Sequence, residues 1–153
     1  MVRYLLCAAV LLTMTLFSES ASACSCQFQG SPAEIVAKSD VIFYGYAESA
    51  RLLNDEESPE ATYPSFNGIA SFRTYRAVKG AEDDSIVEAY FWASGSSCDY
   101  PVAVGAQGFV FLIEKNGKNF FGQCIQPTNF WARKEDYLDI FENEYGVSFD
   151  EMR

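Results

Sequence analysis

No histidine occurs anywhere in the 153 residues. Imidazole is the commonest general base, the proton carrier of nucleophilic triads and a usual zinc ligand. Without it, acid–base chemistry would fall to carboxylates or lysine, and no enzymatic activity is expected. Positive charge is scarce as well: 11 Lys and Arg stand against 21 Asp and Glu, giving a net charge of −10 and a pI near 4.4. Such a surface repels phosphate backbones and argues against a nucleic-acid partner. No stretch approaches the ~20 consecutive apolar residues that a membrane-crossing helix needs, and no internal repeat or low-complexity tract is visible. What is abundant is aromatic: Phe, Tyr and Trp make up 16% of the chain, enough to build a sizeable core.

The first 23 residues read as a secretory signal. Arg3 forms the positive n-region, Tyr4 to Phe17 the apolar h-region, and Ala21-Ser22-Ala23 an A-x-A cleavage site. The expected organisation is therefore a signal peptide over 1–23 and one domain over 24–153, in a secreted or periplasmic location. Losing Arg3 and Glu19 removes one charge of each sign, so the net charge stays at −10. Cleavage after Ala23 makes Cys24 the first residue, with a free α-amino group. Cys7 leaves with the signal, and Cys24, Cys26, Cys98 and Cys124 remain. An oxidising compartment favours disulfides. Four cysteines allow three pairings. Cys24 and Cys26 are poor partners for each other, because one intervening residue cannot easily close a relaxed bridge. Both remaining pairings tie the N-terminus to Cys98 and Cys124. Ala21-Ser22-Ala23-Cys24 also resembles a degraded lipobox that lacks the preferred Leu three residues before the cysteine. A lipid anchor on Cys24 would leave an odd thiol, which argues against it.

Along the mature chain, Ser31 is an N-cap and Pro32 a first helical residue for a short helix to Lys38. Val41 to Ala47 is β-rich and predicts a first strand running on toward Leu53, with Gly45 marking a bulge or tight barrel bend. Asn54 to Asn67, acidic and carrying Pro59 and Pro64, predicts a long loop. Gly68 to Val78 alternates, with Ile69, Ser71, Arg73, Tyr75 and Ala77 on one face and Ala70, Phe72, Thr74, Arg76 and Val78 on the other. Ser85 to Trp92 predicts a third strand, and Ala93 to Gly108 a loop carrying Cys98. Phe109 to Glu114 reads as a strand buried on both faces. Asn116-Gly117 marks a hairpin, since both residues tolerate positive φ, and Lys118 to Cys124 is the return strand. Tyr137, Leu138, Phe141 and Tyr145 recur at helical spacing before Gly146, a good helix stop. The acidic pairs Asp83-Asp84 and Glu135-Asp136 read as solvated turn and helix-start charges. The fold class expected is all-β with flanking helices: a five-stranded OB-fold-like barrel with a short N-terminal helix and a C-terminal amphipathic one. Composition alone does not separate this from a small sandwich.

The cysteine plan adds a family resemblance. A mature chain opening with C-x-C, then a short helix, then Ser39-Asp40-Val41-Ile42-Phe43-Tyr44-Gly45, resembles the netrin-like domain. In particular it is similar to the N-terminal domain of the tissue inhibitors of metalloproteinases and their bacterial relatives. Phe72 to Gly80, Ser97-Cys98, Val104-Gly105 before Phe109-Val110-Phe111-Leu112, and Gly122-Gln123-Cys124 followed by Pro127-Thr128 continue the match across almost the whole mature chain. The resemblance implies Cys24–Cys98 and Cys26–Cys124 bridges. It also implies a protease-binding edge made by Cys24, Ser25, Cys26 and Cys98. There the α-amino nitrogen and carbonyl oxygen of Cys24 chelate the zinc of a partner metalloendopeptidase, and Ser25 enters the specificity pocket. The third bridge and the C-terminal subdomain of the animal inhibitors have no counterpart. No cofactor of the protein's own is implied. The competing reading is an extracytoplasmic module that binds a protein or glycan through the barrel face or the Asn54–Asn67 loop, with C-x-C serving only as a staple.

Overall fold

Alternating apolar and polar residues between Val41 and Phe121 build five strands, β1 (Val41–Leu52), β2 (Gly68–Lys79), β3 (Ile86–Phe91), β4 (Gln107–Lys115) and β5 (Lys118–Phe121). In the computed structural model they close into a barrel in the order β1-β2-β3-β5-β4, the Greek-key arrangement of OB-fold-like proteins. Every pairing is antiparallel except β3 with β5, which is parallel. Helix α1 (Pro32–Lys38) precedes the barrel. A 3-10 turn (Trp131–Arg133) and helix α2 (Lys134–Tyr145) come after it. The structure describes residues 30–54, 57, 66–93, 102–122, 126–127 and 130–150. No helix among them is long and apolar enough to cross a membrane.

Helix α1 forms where the sequence placed it. The Ser31 hydroxyl accepts from the Glu34 amide at 3.4 Å, and the Glu34 carboxylate accepts from the Ser31 amide at 2.8 Å, a capping box. That backbone hydrogen bond is the main cause holding the Glu34 carboxyl below its ordinary pKa. At the far end, the Lys79 ammonium donates to the carbonyls of Val36, Ala37 and Ser39. A cation on a neighbouring strand thus satisfies the helix's last acceptors.

Two apolar layers result. Inside the barrel, Ala47, Ala70 and Ala89 alternate with Phe43, Phe72, Phe91 and Phe121, small against large so that the rings fit the taper. Outside, Ile42, Phe111 and Phe120 pack against Ile35 and Val36 of α1 and Tyr137, Leu138 and Phe141 of α2. Strand β4 is therefore buried on both faces: Val110 and Leu112 point inward, and Phe111 points out beneath α2. Asn116 (φ 54°) and Gly117 (φ 73°) make the expected tight hairpin, and Gly146 (φ 69°) ends α2 in the left-handed conformation.

Gly45 sits at a register shift between β1 and β2. A Cβ there would lie 2.1 Å from the Arg73 carbonyl oxygen, so only glycine lets the strands approach. Strict alternation along β2 does not survive. Tyr44 pairs with Arg76 and Gly45 with Thr74, which leaves Tyr75 as an extra residue; Phe43 pairs with Ala77 and Ile42 with Lys79, which leaves Val78 as a second. Each bulge reverses the facing of the residues beyond it. Arg76 is thereby turned to solvent, and Val78 joins the outer cluster beside Ile42 rather than the barrel interior. Strand β5 ends at Phe121 and Gly122 is already outside it; the predicted end at Cys124 lies outside the described residues.

Candidate functional site

Strand directions decide where the loops go. With β1 taken as running upward, β3 and β5 also run upward, while β2 and β4 run down. The segments after β1, β3 and β5 therefore all leave from one rim. Among the described residues, the opposite rim carries the 80–85 turn, the Asn116-Gly117 hairpin and the Ser39-Asp40 link into β1. In the sequence Cys98 falls between β3 and β4, and Cys124 comes after β5. Because β3 and β5 are parallel neighbours, these two segments start side by side.

Side-chain amides fix the points of departure. Asn67, just before β2, donates through Nδ2 to the Ala93 carbonyl at 3.2 Å and accepts from the Ala93 amide at 2.9 Å. This reproduces a backbone rung at the start of the Cys98 segment. Gln126 does the same after β5: its Oε1 accepts from the Phe111 amide at 3.3 Å, and its Nε2 donates to the Phe111 carbonyl at 2.5 Å. The Gln126 backbone amide also donates to the Gly122 carbonyl at 3.1 Å. Gln126 is 7% exposed and thus a buried polar group with its hydrogen bonds made. The Gly105 amide donates to the Ala47 carbonyl at 2.9 Å and returns the Cys98 segment to the barrel. A cavity of about 200 Å³ opens at this rim between Ala47, Phe72, Val102, Phe121 and Gln126.

All five residues of the predicted protease-binding and disulfide set, Cys24, Ser25, Cys26, Cys98 and Cys124, lie outside the described residues, as does the 1–23 segment. Most of the Asn54–Asn67 loop lies outside them too. At its start, Arg51 donates twice to the Glu57 carboxylate, at 2.8 and 3.0 Å, which pulls the Glu57 carboxyl below its ordinary range. Among the described residues, no three His, Cys, Asp or Glu side chains gather as metal ligands. Asp83 braces β2 by accepting from the Ala77 amide at 2.7 Å and from Arg76 at 3.3 Å, and Asp136 pairs with Arg133 at 2.8 Å.

No family model matches this chain, and no curated protein does.

The sequence reading missed Asn67, Gln126 and an outward row of tyrosines. Tyr46 and Tyr75 have ring centroids 5.3 Å apart, and Tyr44 lies 6.2 Å from Tyr75. The row is flanked by a short Arg73–Glu48 ion pair, whose hydrogen bond raises the pKa of the guanidinium. The amides carry no local signal, because each acts on a strand distant in sequence. The tyrosines were visible as residue types, but that Tyr44 and Tyr46 of β1 lie beside Tyr75 of β2 depends on the pairing of the two strands.

Proposed function

We propose that this chain is exported, trimmed after Ala23 and folded as a netrin-like inhibitor domain. In this reading Cys24 is bridged to Cys98 and Cys26 to Cys124. The Cys24 α-amine and carbonyl then cap the zinc of a partner metalloendopeptidase, and Ser25 fills the adjoining pocket. The zinc belongs to the protease. The observation that carries the reading is the departure of the Cys98 and Cys124 segments from one rim, at the ends of neighbouring parallel strands. Segments that start close together are well placed for a single C-x-C tripeptide to reach both. The closed five-stranded barrel supports the same reading.

The chemistry is coherent. An α-amine with a reference pKa of about 7.7–8.0 gives up its proton to a metal at small cost near neutral pH. Bridges at both cysteines pre-organise the chain end and reduce the entropy lost on docking. Each would close a long loop, for which the chain-entropy model gives about 4–5 kcal/mol of stabilisation; the loops overlap, so the contributions do not add.

The test uses secreted, unreduced protein. Mass spectrometry should report Cys24 as the first residue and the two bridges. That material should inhibit a zinc endopeptidase, and a variant with one alanine added before Cys24 should not. Equal inhibition by both proteins would sink the chelation mechanism.

A further inference from the structure

Two contacts between tyrosine rings occur among the described residues, and both involve Tyr75. Tyr46 of β1 has its ring centroid 5.3 Å from that of Tyr75 on β2, with the planes 35° apart. Tyr44 stands further off, at 6.2 Å and 44°. Tyr75 is the extra residue of a β2 bulge and is 42% exposed, so solvent reaches its ring. The nearer pair also has a base at hand. The Tyr46 hydroxyl donates to the Glu48 carboxylate at 3.4 Å, and Arg73 holds that carboxylate in place. The Tyr44 hydroxyl instead donates to the neutral Gln107 Oε1 at 3.4 Å, and its ring packs against Phe109 and Phe149. A carboxylate can take up a phenol's proton as the ring loses an electron, whereas a carboxamide cannot.

We propose that Tyr46 and Tyr75 are an oxidative cross-linking site, joined by a carbon–carbon bond when the protein meets a haem peroxidase and hydrogen peroxide. Each phenol gives up one electron and one proton, the proton of Tyr46 passing to Glu48. The two radicals combine between ring carbons ortho to the phenol oxygens. The hydrogen on each joined carbon then moves to the neighbouring oxygen, which restores both aromatic rings. Two hydrogens are lost in all, and one peroxide is reduced to two waters. The product ties β1 to β2 and closes the chain between them, Asn54–Asn67 included, into a covalent ring. Such a closure restricts the unfolded chain as a disulfide does. The proposal is independent of the role given to Cys24.

Treating dilute secreted protein with a plant haem peroxidase and hydrogen peroxide tests it. Trypsin then cuts after Arg73 and Arg76, freeing Thr74-Tyr75-Arg76, and after Lys38 and Arg51, freeing the peptide that carries Tyr44 and Tyr46. Mass spectrometry should find these two peptides joined with the loss of two hydrogens, and fragmentation should place the bond on Tyr46. The joined product should have the mass of a monomer and melt about 5 °C or more above untreated protein. Tyr75→Phe should abolish the joined peptide while keeping the wild-type circular dichroism spectrum, and Glu48→Gln should slow its formation several-fold. The proposal is overturned if the Tyr75 peptide is recovered unjoined, if it is joined to a tyrosine other than Tyr46, if coupling occurs only between molecules, or if Glu48→Gln couples at the wild-type rate.

Discussion

Replacing Tyr137 with phenylalanine should make this protein more stable. The Tyr137 ring is fully buried, with ring centroids 4.9 Å from Phe130 and 5.8 Å from Phe111. Its hydroxyl finds no hydrogen-bond partner among the described residues. An unsatisfied buried polar group costs about 1–3 kcal/mol. Removing one oxygen recovers most of that and gives up only a few dispersion contacts. A net gain of about 1 kcal/mol corresponds to a rise of about 2–4 °C in Tm for a chain of this size. The same burial pushes the phenol pKa up to about 12, with Arg133 opposing and Asp136 adding to the shift. Above the unfolded-state pKa of about 10, the unfolded chain releases this proton while the folded chain keeps it. Folding therefore loses stability as pH rises from about 10 to about 12, and by about pH 11 this one group has cost on the order of 1 kcal/mol. Urea melts of wild type and Tyr137→Phe at neutral and alkaline pH should show the variant ahead, with its lead widening above pH 10. A variant less stable at neutral pH, or a lead that stays constant into alkali, would refute the reasoning.

Two further substitutions probe how the barrel is held. Gly45→Ala places a methyl where the Arg73 carbonyl lies 2.1 Å away. It should cost about 3 kcal/mol or more, or leave the protein insoluble, since neither backbone can yield; a Tm close to wild type would contradict the close-approach account. Gln126→Ala strips the buried Phe111 amide and carbonyl of their partner. A loss of about 2–3 kcal/mol is expected, together with faster hydrogen exchange at the Phe111 amide, and unchanged protection there would show that the amide rung is dispensable.

Local chemistry explains which parts were legible. Ser31-Pro32, Asn116-Gly117 and Gly146 each fix backbone geometry within a few residues, and each stands where the sequence puts it. The apolar run Phe109–Ile113 announced a strand covered on both sides, as the outer helix and the barrel interior confirm. The bulges at Tyr75 and Val78 were not legible, because alternation along one strand carries no information about an extra residue opposite its partner. The early end of β5 was hidden for a related reason: Gln126 replaces the missing rung, and only the fold reveals that it faces Phe111, 15 residues away. Of the candidate site, the family resemblance supplied the proposed chemistry, while the shared rim came from strand order.

The parallel junction of β3 with β5 has a mechanical meaning. It rests on the short run from Ala89–Asn119 to Phe91–Phe121 and is braced by the Asn119 side chain on the Glu88 carbonyl. The pairing of β1 with β2, by contrast, spans nearly the whole of both strands. Under load or mild denaturant the cylinder should split along this line, unrolling into a flat sheet with two raw edges. Cys98 comes after β3 and Cys124 after β5, so the proposed bridges to one tripeptide would act as a hasp across the crack.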